Sequence, residues 1–397
     1  MGYKKQETII MEKYLIPFRD ISLQYKAHKE EIDEAVQKVL TGGKYIGGET
    51  VEAFETSLAN YLGVKHVISC ANGTDALRIA LMTIGKDDGI ALTPNYSFVS
   101  AVEAATLYGM DIQLCDVREE DGNIDIAKYE SIDGPVPDVI IPVHLFGRPC
   151  CMNAVTAYAH ICSTKVGKHP YIIEDNAQSL GSWYNGRKAG TIGDIGITSF
   201  FPTKNLACFG DGGALFTNDD LIAGVARQIR NHGRDSLGAF LNVGLNSRLD
   251  AIQAAILSVN LKYLDEEILM RREIARDYDA VFFTLDGILT PDGINEDGMT
   301  VHTYNHYTIR LNSKRERNEL LQHLLKNDIE TRVYYPNLIN EHPAYSDINV
   351  GLDFPTAKAL SETTLSLPIH PYMPYEMVHQ VIYHVSEWIE KHYEKNK

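Results

Sequence analysis

Three short stretches carry side chains whose types and spacing could do chemistry together. In the first, Ser199-Phe200-Phe201-Pro202-Thr203-Lys204-Asn205 runs into Gly210-Asp211-Gly212-Gly213. One lysine therefore stands between an apolar, β-rich run (Ile195 to Phe201) and a glycine-rich turn. A lysine held there has little water around it. Desolvation disfavours the ammonium and lowers its pKa, and a neutral amine attacks carbonyls. That is what a Schiff-base lysine requires. The alternative is a surface lysine in a loop, as most lysines are.

The second stretch, Tyr171-Ile172-Ile173-Glu174-Asp175-Asn176-Ala177-Gln178, reads as a short apolar strand ending in a carboxylate. Functional groups of α/β sheets gather at the carboxyl ends of strands. Asp175 lies upstream of Lys204 on a separate strand. A pyridoxal 5′-phosphate (PLP) site needs such a carboxylate to keep the pyridine nitrogen protonated, so that the ring acts as an electron sink. The alternative is a helix N-cap aspartate. In the third stretch, the strand-like His66–Cys70 leads through Asn72-Gly73-Thr74-Asp75 into an amphipathic helix carrying Ala76, Leu77, Ile79, Ala80 and Leu81. Strand, glycine turn and helix N-terminus make an anion site, to which Thr74 adds a hydroxyl. Standing alone, the same pattern is an ordinary cap.

The elements that must position these residues follow from periodicity. Lys29 to Leu40 reads as an amphipathic helix ended by Gly42-Gly43, and Val51, Phe54, Leu58 and Leu62 mark a second. Seven apolar strands then alternate with helices or loops: Val67–Cys70, Ile90–Thr93, Ile112–Cys115, Val139–Val143, Tyr171–Glu174, Ile195–Phe200 and Ala214–Thr217. This predicts an α/β domain with a mainly parallel sheet. Helical periodicity resumes at Asp250, and a long charged helix from Leu264 to Phe283 leads to a smaller α+β C-terminal domain. There His306–Leu311 reads as a strand and Arg317–Leu325 as a helix. The expected divisions are 1–28 as an N-terminal segment, 29–262 as a large cofactor-binding domain and 263–397 as a small C-terminal domain.

Composition narrows the partners. A formal net charge of −16 argues against nucleic acid, which needs basic patches. No apolar run is long enough to span a bilayer, so no membrane role is expected. Met1 to Glu12 is polar, lacks the apolar core of a signal peptide and reads as a leader. The six cysteines, scattered apart from adjacent Cys150 and Cys151, show no metal spacing and read as free thiols in a reducing cytoplasm. His302 and His306 are four apart, with no third ligand evident, and no metal is expected.

The chain resembles the DegT/StrS family of PLP-dependent sugar aminotransferases. The matching blocks occur in the family's order. They are Asn72-Gly73-Thr74-Asp75-Ala76-Leu77, Pro142-Val143-His144-Leu145-Phe146-Gly147, Glu174-Asp175-Asn176-Ala177-Gln178, Ser199 through Asn205, Gly210-Asp211-Gly212-Gly213, and Gly244 through Asp250 with Gln253-Ala254-Ala255. With Leu365-Ser366-Leu367-Pro368 they cover the chain from about Ile16 onward. The resemblance implies the aminotransferase fold type I, with a seven-stranded large domain. It implies that Lys204 carries the cofactor and moves a proton between the donor's Cα and the cofactor's C4′, which passes through a pyridoxamine phosphate form. Asp175 pairs with the pyridine nitrogen, and Gln178 hydrogen-bonds the ring's substituent oxygen. Gly73, Thr74 and Ser199 hold the phosphate. Phe98 stacks on the ring, its alternative being core packing. Asn246 reaches the phosphate of a partner subunit's cofactor, which implies a homodimer with shared sites. The apolar face around 252–264 is the expected dimer surface.

The family's dehydratase branch has histidine in place of the lysine, so Lys204 implies amino transfer. Tyr334-Tyr335-Pro336 stands where the family commonly has His-Tyr-Pro, leaving the role of Tyr334 open. The Asn246-Ser247-Arg248-Leu249-Asp250 block resembles enzymes that aminate 3-keto sugars. Ser69–Asp75 and Thr198–Pro202 resemble those acting on UDP-2-acetamido-2-deoxy-3-oxoglucuronate, with L-glutamate as donor, in O-antigen biosynthesis. A dTDP-linked 3-keto-6-deoxyhexose is the rival substrate. Arg248 is the expected partner of the uronate carboxylate, its alternative being a structural ion pair with Asp250 or another acid. Two other classes compete: a regulatory protein that keeps the fold without catalysis, and an amino-acid aminotransferase using Arg332.

Overall fold

The apolar runs become one sheet. In the computed structural model, which describes residues 16–131, 135–291 and 300–394, the strands are β1 (His66–Cys70), β2 (Ile90–Pro94), β3 (Asp111–Cys115), β4 (Val139–Ile140), β5 (Tyr171–Asp175), β6 (Ile195–Ser199) and β7 (Gly213–Thr217). They lie in the order β1-β7-β6-β5-β4-β2-β3. β3, β2, β4, β5 and β6 pair in parallel, while β7 runs antiparallel to both β6 and β1. The seven-stranded, mainly parallel sheet is the expected one. Helices cover it, so its strands are buried almost throughout, as parallel strands must be. β4 is shorter than the Val139–Val143 expectation because Pro142 has no N–H to give a ladder. Pairing resumes as a bridge between Val143 and Asp175.

Helix α1 (Lys29–Gly42), α2 (Glu49–Leu62) and α3 (Gly73–Ile84) precede and follow β1, and α4 spans Ala251–Phe282. The sequence suggested two helical stretches in this last region. With no glycine or proline between Ala251 and Phe282 they form one helix of 32 residues. Its first half buries Ala254, Leu257, Leu264 and Ile268 against α2 and β7. Its second half buries Ile274, Tyr278 and Phe282 in another core. The expected 262/263 division therefore falls inside a continuous helix that crosses from one core to the other between Ile268 and Ile274. The 252–264 face expected to meet a partner is closed within the chain, since Ile256 and Val259 pack on Ile32 of α1.

The second core belongs to a three-stranded antiparallel sheet of β8 (Ile288–Leu289), β9 (Tyr307–Leu311) and β10 (Thr364–Leu367), with α5 (Lys314–Lys326) and α6 (Tyr375–Glu394) packed on it. This is the α+β C-terminal part. The chain near Ile16 joins it: Ile16 pairs in parallel with Ile329 and is buried in the same core. The Met1–Glu12 leader lies outside the described residues. All six cysteines are free thiols. No described helix is long and apolar enough to cross a membrane.

Candidate active site

The three stretches converge at the carboxyl ends of β5 and β6. They line a cavity of about 680 Å³ together with Asn72, Gly73, Thr74, Phe98, Gln178, Ser199, His306, Tyr334 and Tyr335. One end is built for an anion. Asn72 caps α3 by accepting the Asp75 N–H (2.8 Å), which leaves the Gly73 and Thr74 N–H groups of the first turn for a ligand. Gly73 has no room for a side chain, since a Cβ there would sit 2.8 Å from the Ser199 Cβ. Gly213, at the start of β7, is closer still, its Cβ position lying 2.4 Å from the Asn72 carbonyl. The glycines bring backbone and the Ser199 hydroxyl together into a cradle.

Asp175 ends β5 and is buried. Burial pushes its carboxyl up, opposed by the Ala177 N–H (3.0 Å) and the positive charge of Lys204. Glu174, one residue earlier, faces the other side of the strand. It accepts from the Gly190, Ile192 and Gly193 N–H groups (2.9, 2.6 and 2.6 Å) and from His144 Nε2 (3.0 Å). His144 Nδ1 accepts the Cys150 N–H (3.0 Å), so its proton is on Nε2 and is donated to Glu174. Burial raises the Glu174 carboxyl, but these bonds hold it below the usual carboxylate range. The pair anchors the strand end that carries Asp175.

Lys204 sits in a turn closed by its own N–H to the Phe201 carbonyl (2.8 Å). Burial lowers its pKa to about 8; Arg19 adds to the effect and Asp175 opposes it. Gln178 is fixed at both ends of its amide, Oε1 accepting the Phe146 N–H and Nε2 donating to the Tyr335 hydroxyl, both at 3.0 Å. Phe98 is 57 % exposed at the cavity wall, so it is not a core residue. An anion cradle, a buried carboxylate and a desolvated lysine around one cavity fit PLP.

Two expected site residues lie elsewhere. Asn246 and Arg248 are not among the residues lining this cavity. Asn246 is exposed. Arg248 donates to Asn231 Oδ1 (2.7 Å) and to Asn246 Oδ1, and no ion pair with Asp250 occurs. Arg332 is exposed, pairs with Glu330 and lies near the Phe18 ring (5.9 Å). His306 and Tyr335 are cavity residues that sequence reasoning missed. Neither His302 nor His306 belongs to a group of three converging metal ligands among the described residues. The group that does converge is His323, His384 and Glu387, in the small domain away from the cavity.

The model of the DegT/DnrJ/EryC1/StrS aminotransferase family matches residues 26–386. The chain belongs to that family. This DegT/DnrJ/EryC1/StrS member is 39 % identical over 361 residues to the UDP-2-acetamido-2-deoxy-3-oxo-D-glucuronate aminotransferase of Pseudomonas aeruginosa, covering 90 % of this chain and 96 % of the relative. It is 35 % identical to a pleiotropic regulatory protein of Geobacillus stearothermophilus, covering 94 % and 98 %. Among solved structures it resembles S. venezuelae DesV in complex with a ketimine intermediate, with a TM-score of 0.88 and 32 % identity over 94 % of this chain and 98 % of that one. The protein is a PLP-dependent aminotransferase of fold type I.

Proposed function

We propose that the protein transfers an amino group from L-glutamate to the 3-keto group of a nucleotide sugar, UDP-2-acetamido-2-deoxy-3-oxoglucuronate, in the cytoplasm for O-antigen biosynthesis. The observation that carries this reading is the similarity to the Pseudomonas aeruginosa enzyme across almost the whole chain. The regulatory alternative is disfavoured because Lys204 is present and desolvated, and Asp175 is buried opposite it.

When bound, PLP supplies an electron sink for the carbon that loses its proton. The chain's own residues do the rest. The Gly73 and Thr74 N–H groups and the Ser199 hydroxyl would hold its phosphate. Asp175 would keep the ring nitrogen protonated, because a buried carboxylate gains a cation partner there. Phe98 would pack against the ring. Lys204 Nζ, with a pKa near 8, would serve as the proton carrier at the donor's Cα. Gln178, held by Phe146 and Tyr335, keeps an Nε2 hydrogen for the ring oxygen.

The site is read as shared across a homodimer, with Asn246 of each chain reaching the phosphate in the other. What supports this is a run of exposed apolar side chains, Leu237, Phe240, Leu241 and Val243, beside Asn246 and Arg248. Such a patch marks an interaction surface. Arg248, with no acidic partner among the described residues, is read as the fork that meets the uronate carboxylate.

The test is a panel of 3-keto nucleotide sugars incubated with L-glutamate and enzyme, with amino-sugar products read by mass spectrometry. Amination of the UDP-linked uronate is expected. Preference for a dTDP-linked 6-deoxy sugar would replace the substrate, and no product from any keto sugar would sink the reading.

A further inference from the structure

Arg19 is half-buried, and its guanidinium has no acid among the described residues. Its Nη1 donates to Asn305 Oδ1 (3.4 Å) and its Nη2 to the Asn305 carbonyl, while Nε has no partner. Among the described residues it makes no ion pair. Its charged neighbours are cations, Arg271 and Lys204. Asn305 is 1 % exposed, and its Nδ2 is also without a partner. The next residue, His306, is 7 % exposed, lines the Lys204 cavity and has an unpartnered Nδ1. Its ring is held between Phe18, stacked at 5.9 Å, and Tyr334 at 4.6 Å.

Unpaired buried charge is costly, and buried polar atoms are normally satisfied. Three such atoms on neighbouring residues beside a reactive lysine point to an anion that arrives with the substrate. The anion cradle for the cofactor phosphate stands on other elements, at Gly73, Thr74 and Ser199. A guanidinium backed by a neutral amide suits a carboxylate, which accepts two parallel hydrogen bonds from its fork.

We propose that Arg19 and Asn305 form a carboxylate-binding site that adjoins the Lys204 cavity at His306, which lines it. The inference rests on the aminotransferase reading and adds to it a residue contributed by the N-terminal segment. The carboxylate belongs either to the amino donor or to the sugar, and the two sources separate in one experiment.

Holoenzyme, Arg19→Met and Arg19→Lys would be titrated by calorimetry with glutarate, with UDP-glucuronate and with UDP-glucose, and visible absorbance would report bound PLP. Loss of glutarate affinity in Arg19→Met by roughly 30-fold or more, the effect of removing one partner of a buried charged pair, assigns the donor carboxylate. A similar loss confined to UDP-glucuronate, with UDP-glucose unchanged, assigns the sugar carboxylate. Arg19→Lys is expected to recover part of either loss and guards against misfolding of the methionine variant. Unchanged affinities for both acids overturn the proposal, as does loss of PLP itself, which would make Arg19 a cofactor ligand. An enzyme that binds glutarate through Arg19 yet aminates no keto sugar would sink the substrate reading and leave this site standing.

Discussion

Asp175, Ser199, Lys204 and Gly73 stand at strand ends and a helix start whose neighbours all lie in the same chain. Asn246 and Arg248 stand on a stretch flanked by Leu237, which is 92 % exposed, and Val243, which is 87 % exposed. The first region is tightly built: Gly73 and Gly213 leave no space for a side chain, and Glu174, beside Asp175, accepts at both of its oxygens. In the second, Arg248 bonds Asn231 and Asn246, while Leu237, Phe240, Leu241 and Val243 stay exposed. The difference teaches that the elements around Lys204 are packed within one chain, and that the proposed sharing of the site rests on the exposed stretch beside Asn246.

The largest expected effect tests both halves at once. Lys204→Ala should lower amino transfer by about 10²–10⁴-fold or more through loss of the proton carrier. Mixing it with inactive Asn246→Asp should restore measurable activity through hybrid dimers. No recovery after verified subunit exchange would mean that the two regions do not meet across chains. Next comes Asp175→Asn. It should retain PLP yet lose about 10²–10³-fold in the glutamate half-reaction, read by stopped-flow absorbance, as a preorganised charge is removed. An unchanged rate would assign the ring nitrogen to another group. Gly73→Ala sets a Cβ against the Ser199 Cβ. Overpacking of that kind costs about 1–3 kcal/mol, so PLP affinity should fall roughly 5- to 150-fold while the fold survives. Equal affinity would show that the cradle opens easily.

The smallest effect is in pH. The pKa of Lys204 is lowered to about 8, so its amine is neutral above that pH and charged below it. Addition of PLP to the apoenzyme should therefore speed up as pH rises, and level off above about 8. A rate still climbing steadily past pH 10 would mean that the lysine is not desolvated.

Much of this was legible because buried parallel strands are written as apolar runs and the site residues sit at their ends. Lys204, Asp175 and Gly73 each follow or precede such a run, and the structure sets all three around one cavity. Arg19, His306 and Tyr335 were not legible. His306 read as the start of a strand and Tyr335 as part of the Tyr334-Tyr335-Pro336 block, and nothing local says that positions so far apart meet near Lys204. A weak signal existed in Asn305-His306, two polar side chains just before the alternating burial of β9. The continuity of α4 was readable from the lack of any glycine or proline. The closed 252–264 face was not, because its cover, Ile32 of α1, lies far upstream.

Helix α4 has a consequence for how this molecule can change over time. Its 32 residues make a rod about 48 Å long, and each added residue turns everything beyond it by about 100°. The small domain carries His306, Tyr334 and Tyr335 to the cavity from the far end of that rod. An insertion of one residue between Ile268 and Ile274 would swing them off Lys204, whereas an insertion of the same size in a surface loop would leave them in place. The rod works as a phase ruler. Chimeras that exchange small domains between relatives should keep activity when the residue count from Asp250 to Phe282 is held, and lose it when that count changes.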